Sequence, residues 1–152
     1  MHEMLSRHSG FNAIPLPGLQ RLASRGHRRM FGAGSQLMHQ GDVSDRMYLI
    51  VSGRVRVERS HPDLLEPLVL AELGPGEIVG EMGLLDASPR SATVSAMEET
   101  ETLELNADAV REIIEQFPEV SGVLLRILTR RLRSTNDLIE ALASRTNPDR
   151  EL

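Results

Sequence analysis

The 152-residue sequence has no cysteine. That removes disulfides, thiolate metal sites and cysteine nucleophiles together, and it fits a cytoplasmic protein. There is no tryptophan, one tyrosine and three phenylalanines, so a core must be built from aliphatic side chains. Lysine is absent too: all 17 basic residues are arginine, a bias that a GC-rich genome explains more simply than function does. No apolar run approaches the ~20 residues of a membrane-spanning helix, and the N-terminus lacks a signal-peptide core. The formal net charge of −5 argues against whole-molecule attraction to nucleic acid. What remains is 40% hydrophobic and 26% charged, the proportions of a globular protein, at a length that makes residues 1–152 one domain with a proper core.

Residues 1–26 read as short helical pieces. Leu16, Leu19, Leu22 and Ala23 recur at helical spacing, Pro17 suits a first turn and Gly26 an end cap. From His27 to Leu105 the pattern changes to short β segments broken by Gly, Pro, Asp and Ser. Met47 to Val51 is a continuous apolar run and predicts a buried strand. Arg54-Val55-Arg56-Val57-Glu58 alternates with its valines inward, Pro67 to Leu73 is another strand, and Thr102-Leu103-Glu104-Leu105 alternates again. Short strands at regular intervals predict a mainly β fold, an antiparallel β-roll of the double-stranded β-helix or jelly-roll kind, with flanking helices. Residues 106–145 are helical: Asn106 caps a helix that runs to about Gln116, Phe117-Pro118 breaks it, and a second helix continues to about Ser144.

The stretch from Gly76 to Val94 has the layout of a cradle for a small anion. Its glycines, Gly80 and Gly83 among them, let backbone N–H groups approach a ligand. A helix starting near Glu81 would aim its unpaired N–H groups, Met82 included, at the same place. Arg90 adds a guanidinium able to grip two phosphate oxygens. Glu81 would repel a phosphate and suits a sugar hydroxyl instead.

Gly80-Glu81, then Leu84, then Pro89-Arg90-Ser91-Ala92-Thr93-Val94 resembles the phosphate-binding cassette of the cyclic nucleotide-binding domain family. That family includes protein kinase A regulatory subunits, cyclic-nucleotide-gated channels and bacterial catabolite activator proteins. The nine-residue step from Glu81 to Arg90 matches the kinase-type cassette. Gly41-Asp42, Tyr48-Leu49-Ile50 and Gly53-Arg54-Val55 extend the resemblance, which covers nearly the whole chain. It departs at Ile78-Val79, where the family often has an aromatic residue. The resemblance implies that Glu81 holds the ribose 2′-hydroxyl and Arg90 the cyclic phosphate. It implies a ligand-binding regulatory module, not an enzyme. Ser91 after the arginine points to cyclic AMP, with cyclic GMP second.

Leu125, Leu128, Leu132, Thr135, Ile139 and Leu142 step by three and four along the last helix, a heptad seam. Val120, Leu124 and Leu138 lie off it, free to pack on the roll. Two apolar faces predict a homodimer through residues of about Leu125 to Leu142. Arg131, Thr135 and Asn136 are similar to the purine-contacting stretch of the catabolite activator proteins, with Asn136 in place of a serine. Thr135 equally admits reading as a polar interruption that sets helix register.

Rival chemistries have little support. The histidines His2, His8, His27, His39 and His61 share no short strand motif, so no metal site is expected. There is no G-x-S-x-G elbow, and Gly74-Pro75-Gly76 lacks the lysine of a P-loop. The arginines of the last helix read as a solvated flank. With no helix-turn-helix before Leu152, direct DNA binding is not expected of this sequence; the effector is left unnamed. The alternatives are the sensor part of a transcription regulator and an interaction module with a vestigial pocket.

Overall fold

The computed structural model describes residues 15–81 and 89–146. Helix α1 (Leu16–Arg25) leads into eight strands: β1 (His27–Phe31), β2 (Gln36–Met38), β3 (Arg46–Ser52), β4 (Val55–Arg59), β5 (Leu68–Leu73), β6 (Ile78–Val79), β7 (Thr93–Ala96) and β8 (Thr100–Asn106). Helices α2 (Ala107–Gln116) and α3 (Glu119–Thr146) follow. The strands form two four-stranded antiparallel sheets, ordered β1-β8-β3-β6 and β2-β7-β4-β5. Together they make the expected roll, open at its sheet edges rather than closed into a barrel.

Strand β3 explains the apolar run. Its alternate residues point to opposite faces, and both faces are covered. Met47, Leu49 and Val51 join Leu103 and Leu105 of β8 beneath the helices, against Leu19, Leu22, Val110, Ile113, Val120 and Val123. Tyr48 and Ile50 point between the sheets, where they meet Phe31, Leu37, Val55, Val79, Val94 and Ala96. Burying each such side chain contributes about 1.5–3 kcal/mol. In place of stacked aromatics the interior holds one edge-on pair, Phe31 and Tyr48, with centroids 5.8 Å apart.

Helix α1 buries Leu19 and Leu22 as its spacing required, while Leu16 stays exposed. Gly26 does follow the helix, but with φ −85° rather than the left-handed conformation of a glycine cap. Its reason is close approach: a Cβ there would overlap the Leu103 side chain. Asn106 caps α2 as expected, its Oδ1 accepting from the Ala109 N–H at 2.8 Å. The break at Phe117-Pro118 is real, and α3 runs on to Thr146. Val120 is buried and Leu124 half-buried against the roll, whereas Leu125 and Ile139 on the seam are 65% and 57% exposed. The side chains of Leu132 and Leu138 lie outside the described residues, as do residues 1–14. The helix expected to start near Glu81 falls at residues 82–88 and lies outside them too.

Candidate anion-binding site

Residues from three separated segments converge on Arg90. Its backbone is locked to the turn at Gly41-Asp42: the Arg90 N–H donates to the Asp42 carbonyl at 2.6 Å, and the Arg90 carbonyl accepts from the Gly41 N–H at 2.9 Å. Gly41 has φ +94°, a conformation that glycine adopts without strain. The guanidinium is then held at two points. Nη1 donates to the Gly80 carbonyl at 2.9 Å, and Nη2 donates to the Arg46 carbonyl at the start of β3. Gly80 also has a positive φ, +82°, and a Cβ there would lie 2.8 Å from both Arg90 Nη1 and Met38 Cε. This glycine is therefore required by conformation and by space.

Arg90 is only 7% exposed, and its Nε has no hydrogen-bond partner among the described residues. Burial lowers its pKa below the ordinary guanidinium value; the neighbouring Tyr48, Glu81, Asp45 and Asp42 oppose that shift. A guanidinium has five N–H donors in a fixed fork and stays protonated. The carbonyls of Gly80 and Arg46 fix its orientation and leave the Nε–H, buried and charged, for an incoming acceptor. Glu81 sits in the turn directly after Gly80 and is itself buried.

On the inner face of the first sheet lies a second polar group that the sequence did not announce. Glu104 is 3% exposed. Its carboxylate accepts from Arg29 at 2.9 Å and from Arg46. Burial alone would push this carboxyl up, but the hydrogen bonds and charges of the two arginines outweigh it and hold its pKa below the usual carboxylate range. Tyr48 stands opposite Glu104 in the β3–β8 register, and burial together with that carboxylate raises its phenol. Arg29 also lies over the Phe31 ring, 5.0 Å from its centroid.

Of the expected site residues, the fold brings Gly80, Glu81 and Arg90 together, with Ser91 exposed beside them. Met82 and Gly83 fall outside the described residues. Arg131, Thr135 and Asn136 lie within α3; Asn136 is exposed, and the side chains of the other two are outside the described residues. Sequence reasoning missed Met38, Arg46 and Glu104. A groove of about 590 Å³ between α1 and Phe117, lined by Gln20, Arg21 and Gln116, shares none of this chemistry. Among the described residues there is no cluster of metal-ligating side chains and no helix long and apolar enough to cross a membrane.

The fold and site define a β-roll that carries one buried guanidinium, oriented by two backbone carbonyls. Residues 28–117 match the family model described as the cyclic nucleotide-binding domain, and the chain belongs to that family. It is 33% identical over 150 residues to a CRP-like cAMP-activated global transcriptional regulator of Mycobacterium tuberculosis, covering 99% of this chain and 66% of that one. Among solved structures, the catabolite activator protein of Thermus thermophilus is 36% identical with a TM-score of 0.78, covering 88% of this chain and 62% of the other. A cyclic nucleotide-binding domain from Methylobacillus flagellatus is 29% identical, also with a TM-score of 0.78, covering 91% and 80%. The chain thus spans between about half and two thirds of the length of the regulators it matches, 53% to 66%.

Proposed function

We propose that this chain is a cyclic AMP sensor, with Arg90 receiving the cyclic phosphate and Glu81 the ribose 2′-hydroxyl. The observation that carries this reading is the buried Nε of Arg90, a charged donor without a partner among the described residues in a guanidinium already fixed by two carbonyls. A buried donor left unmade costs about 1–3 kcal/mol, and a phosphate oxygen would satisfy it. The names of the regulators it matches and the small residue Ser91 support cyclic AMP over cyclic GMP. Arg131, Thr135 and Asn136 of α3 are the candidates to meet the purine. Ligand would then favour the arrangement of α2 and α3 that closes over it, by the difference in affinity between open and closed states.

Calorimetric titration of the nucleotide-free protein with cyclic AMP and cyclic GMP tests the assignment. Cyclic AMP is expected to bind more tightly, and absence of heat with either would sink it. A second reading, the sensor portion of a transcription regulator, is favoured by the 66% coverage of the mycobacterial relative; cyclic-AMP-dependent retardation of promoter fragments by this chain fused to a helix-turn-helix domain would support it.

A further inference from the structure

Three arginines reach the inner face of the first sheet beside the anion site. The alternation of β3 sends Met47, Leu49 and Val51 to the helices, so Arg46 and Tyr48 face the roll interior. On β1, Phe31 packs between the sheets, so Arg29 lies on that same inner side. Arg46 touches Arg90 directly, since its carbonyl accepts from Arg90 Nη2. The guanidiniums of Arg29 and Arg46 both donate to the carboxylate of Glu104, which stands 3% exposed between them. The exposed Asp42 and Asp45 and the buried Glu81 also act on Arg90, so the site is not strongly positive as a whole.

This matters for which phosphates the site accepts. A cyclic nucleotide is a phosphodiester with one negative charge. A 5′-nucleotide is a monoester with a charge of about −1.5 to −2 at neutral pH. Charge opposite the anion therefore sets the preference between them. We propose that Glu104 is a specificity-determining residue: by offsetting one of the two guanidinium charges of Arg29 and Arg46 it lowers the positive charge beside Arg90 and matches the site to a singly charged phosphodiester over a doubly charged monoester. This rests on the reading of Arg90 as the phosphate ligand.

Three probes separate charge from ring shape: cyclic AMP, 5′-AMP, and the 5′-methyl ester of AMP, an acyclic phosphodiester with one charge. The unmodified protein is expected to bind the methyl ester more tightly than 5′-AMP. In Glu104→Gln the amide still accepts from one arginine, but the interior gains one net positive charge. Binding of 5′-AMP should then tighten relative to both monoanions by about threefold to tenfold. A unit charge acting over a separation on the order of 10 Å at an effective dielectric of roughly 20 would give somewhat more, and the half-exposure of Arg29 and Arg46 reduces it. In Glu104→Gln/Arg46→Met the ratio should return towards that of the unmodified protein. If all three ligands weaken in Glu104→Gln by one common factor, Glu104 is only structural and the proposal falls. Should Glu104→Gln not fold, the unmodified protein decides: equal affinity for 5′-AMP and its methyl ester would overturn the proposal. No binding of any probe by the unmodified protein would instead remove the reading of Arg90 itself.

Discussion

Arg90 combines two properties that usually oppose each other, since it is buried and it is charged. Two backbone carbonyls and three nearby carboxylates make that tolerable. Truncating one side of a buried charge pair costs about 2–5 kcal/mol, so Arg90→Ala is expected to weaken cyclic AMP binding by that amount. Arg90→Lys should restore only part of it, because an ammonium has no fork; undiminished affinity in Arg90→Ala would place the phosphate elsewhere. If Glu81 accepts from the 2′-hydroxyl, then Glu81→Ala and a 2′-deoxy ligand remove one and the same contact, and their losses should not add. Additive losses in that cycle would move Glu81 out of the site. Glu104 sets the response to acid. Its folded pKa is held below its unfolded value, so its ion pairs stabilise the fold fully above the ordinary carboxylate range and lose that contribution as pH falls through the folded value. Urea melts between neutral and acid pH should show Glu104→Gln destabilised at pH 7 and less sensitive to acid than the unmodified protein.

At the scale of elements, the sequence was most readable where a single local rule decides. The cap at Asn106, the break at Phe117-Pro118 and the doubly covered β3 were all visible in residue type and spacing. Strand β8 was not. Thr102-Leu103-Glu104-Leu105 reads as a strand with one wet face, yet Thr102 and Glu104 are as buried as the leucines. The polar residues can be buried because Arg46 and Arg29, 58 and 75 residues away, neutralise Glu104, and no local pattern records such partners. The meeting of Gly80, Glu81 and Arg90 was legible in the sequence, but not the role of the Gly80 and Arg46 carbonyls in aiming the guanidinium, since every residue has a carbonyl. Two substitutions test the elements. A Cβ at Gly122 would meet nothing within 4 Å, so Gly122→Ala in helix α3 should stabilise the protein by about 0.5–1 kcal/mol in thermal melts. Gly26→Ala should do the reverse, by about 1–3 kcal/mol, because Leu103 occupies the space and overpacking is costly.

For the whole molecule, the open question is what covers the far side of α3. Val120 and Val123 are buried against the roll, while Leu125 and Ile139 face outward. A second copy packed along the same helix would bury that outer face and close a twofold dimer. Light scattering at high micromolar concentration should give a dimeric mass, and Leu132→Glu should convert it to a folded monomer. A monomeric mass with and without cyclic AMP would defeat this.

Strand β3 is hydrogen-bonded on one edge to β8 and on the other to β6, with side chains of both cores hanging from its two faces. Its amides cannot reach solvent by fraying an edge or by lifting off either layer alone. Under deuterium they should exchange last, only through global unfolding, whereas β5, whose outer edge has no neighbouring strand among the described residues, should exchange early. A ligand entering the roll would find one wall that gives way and one that does not.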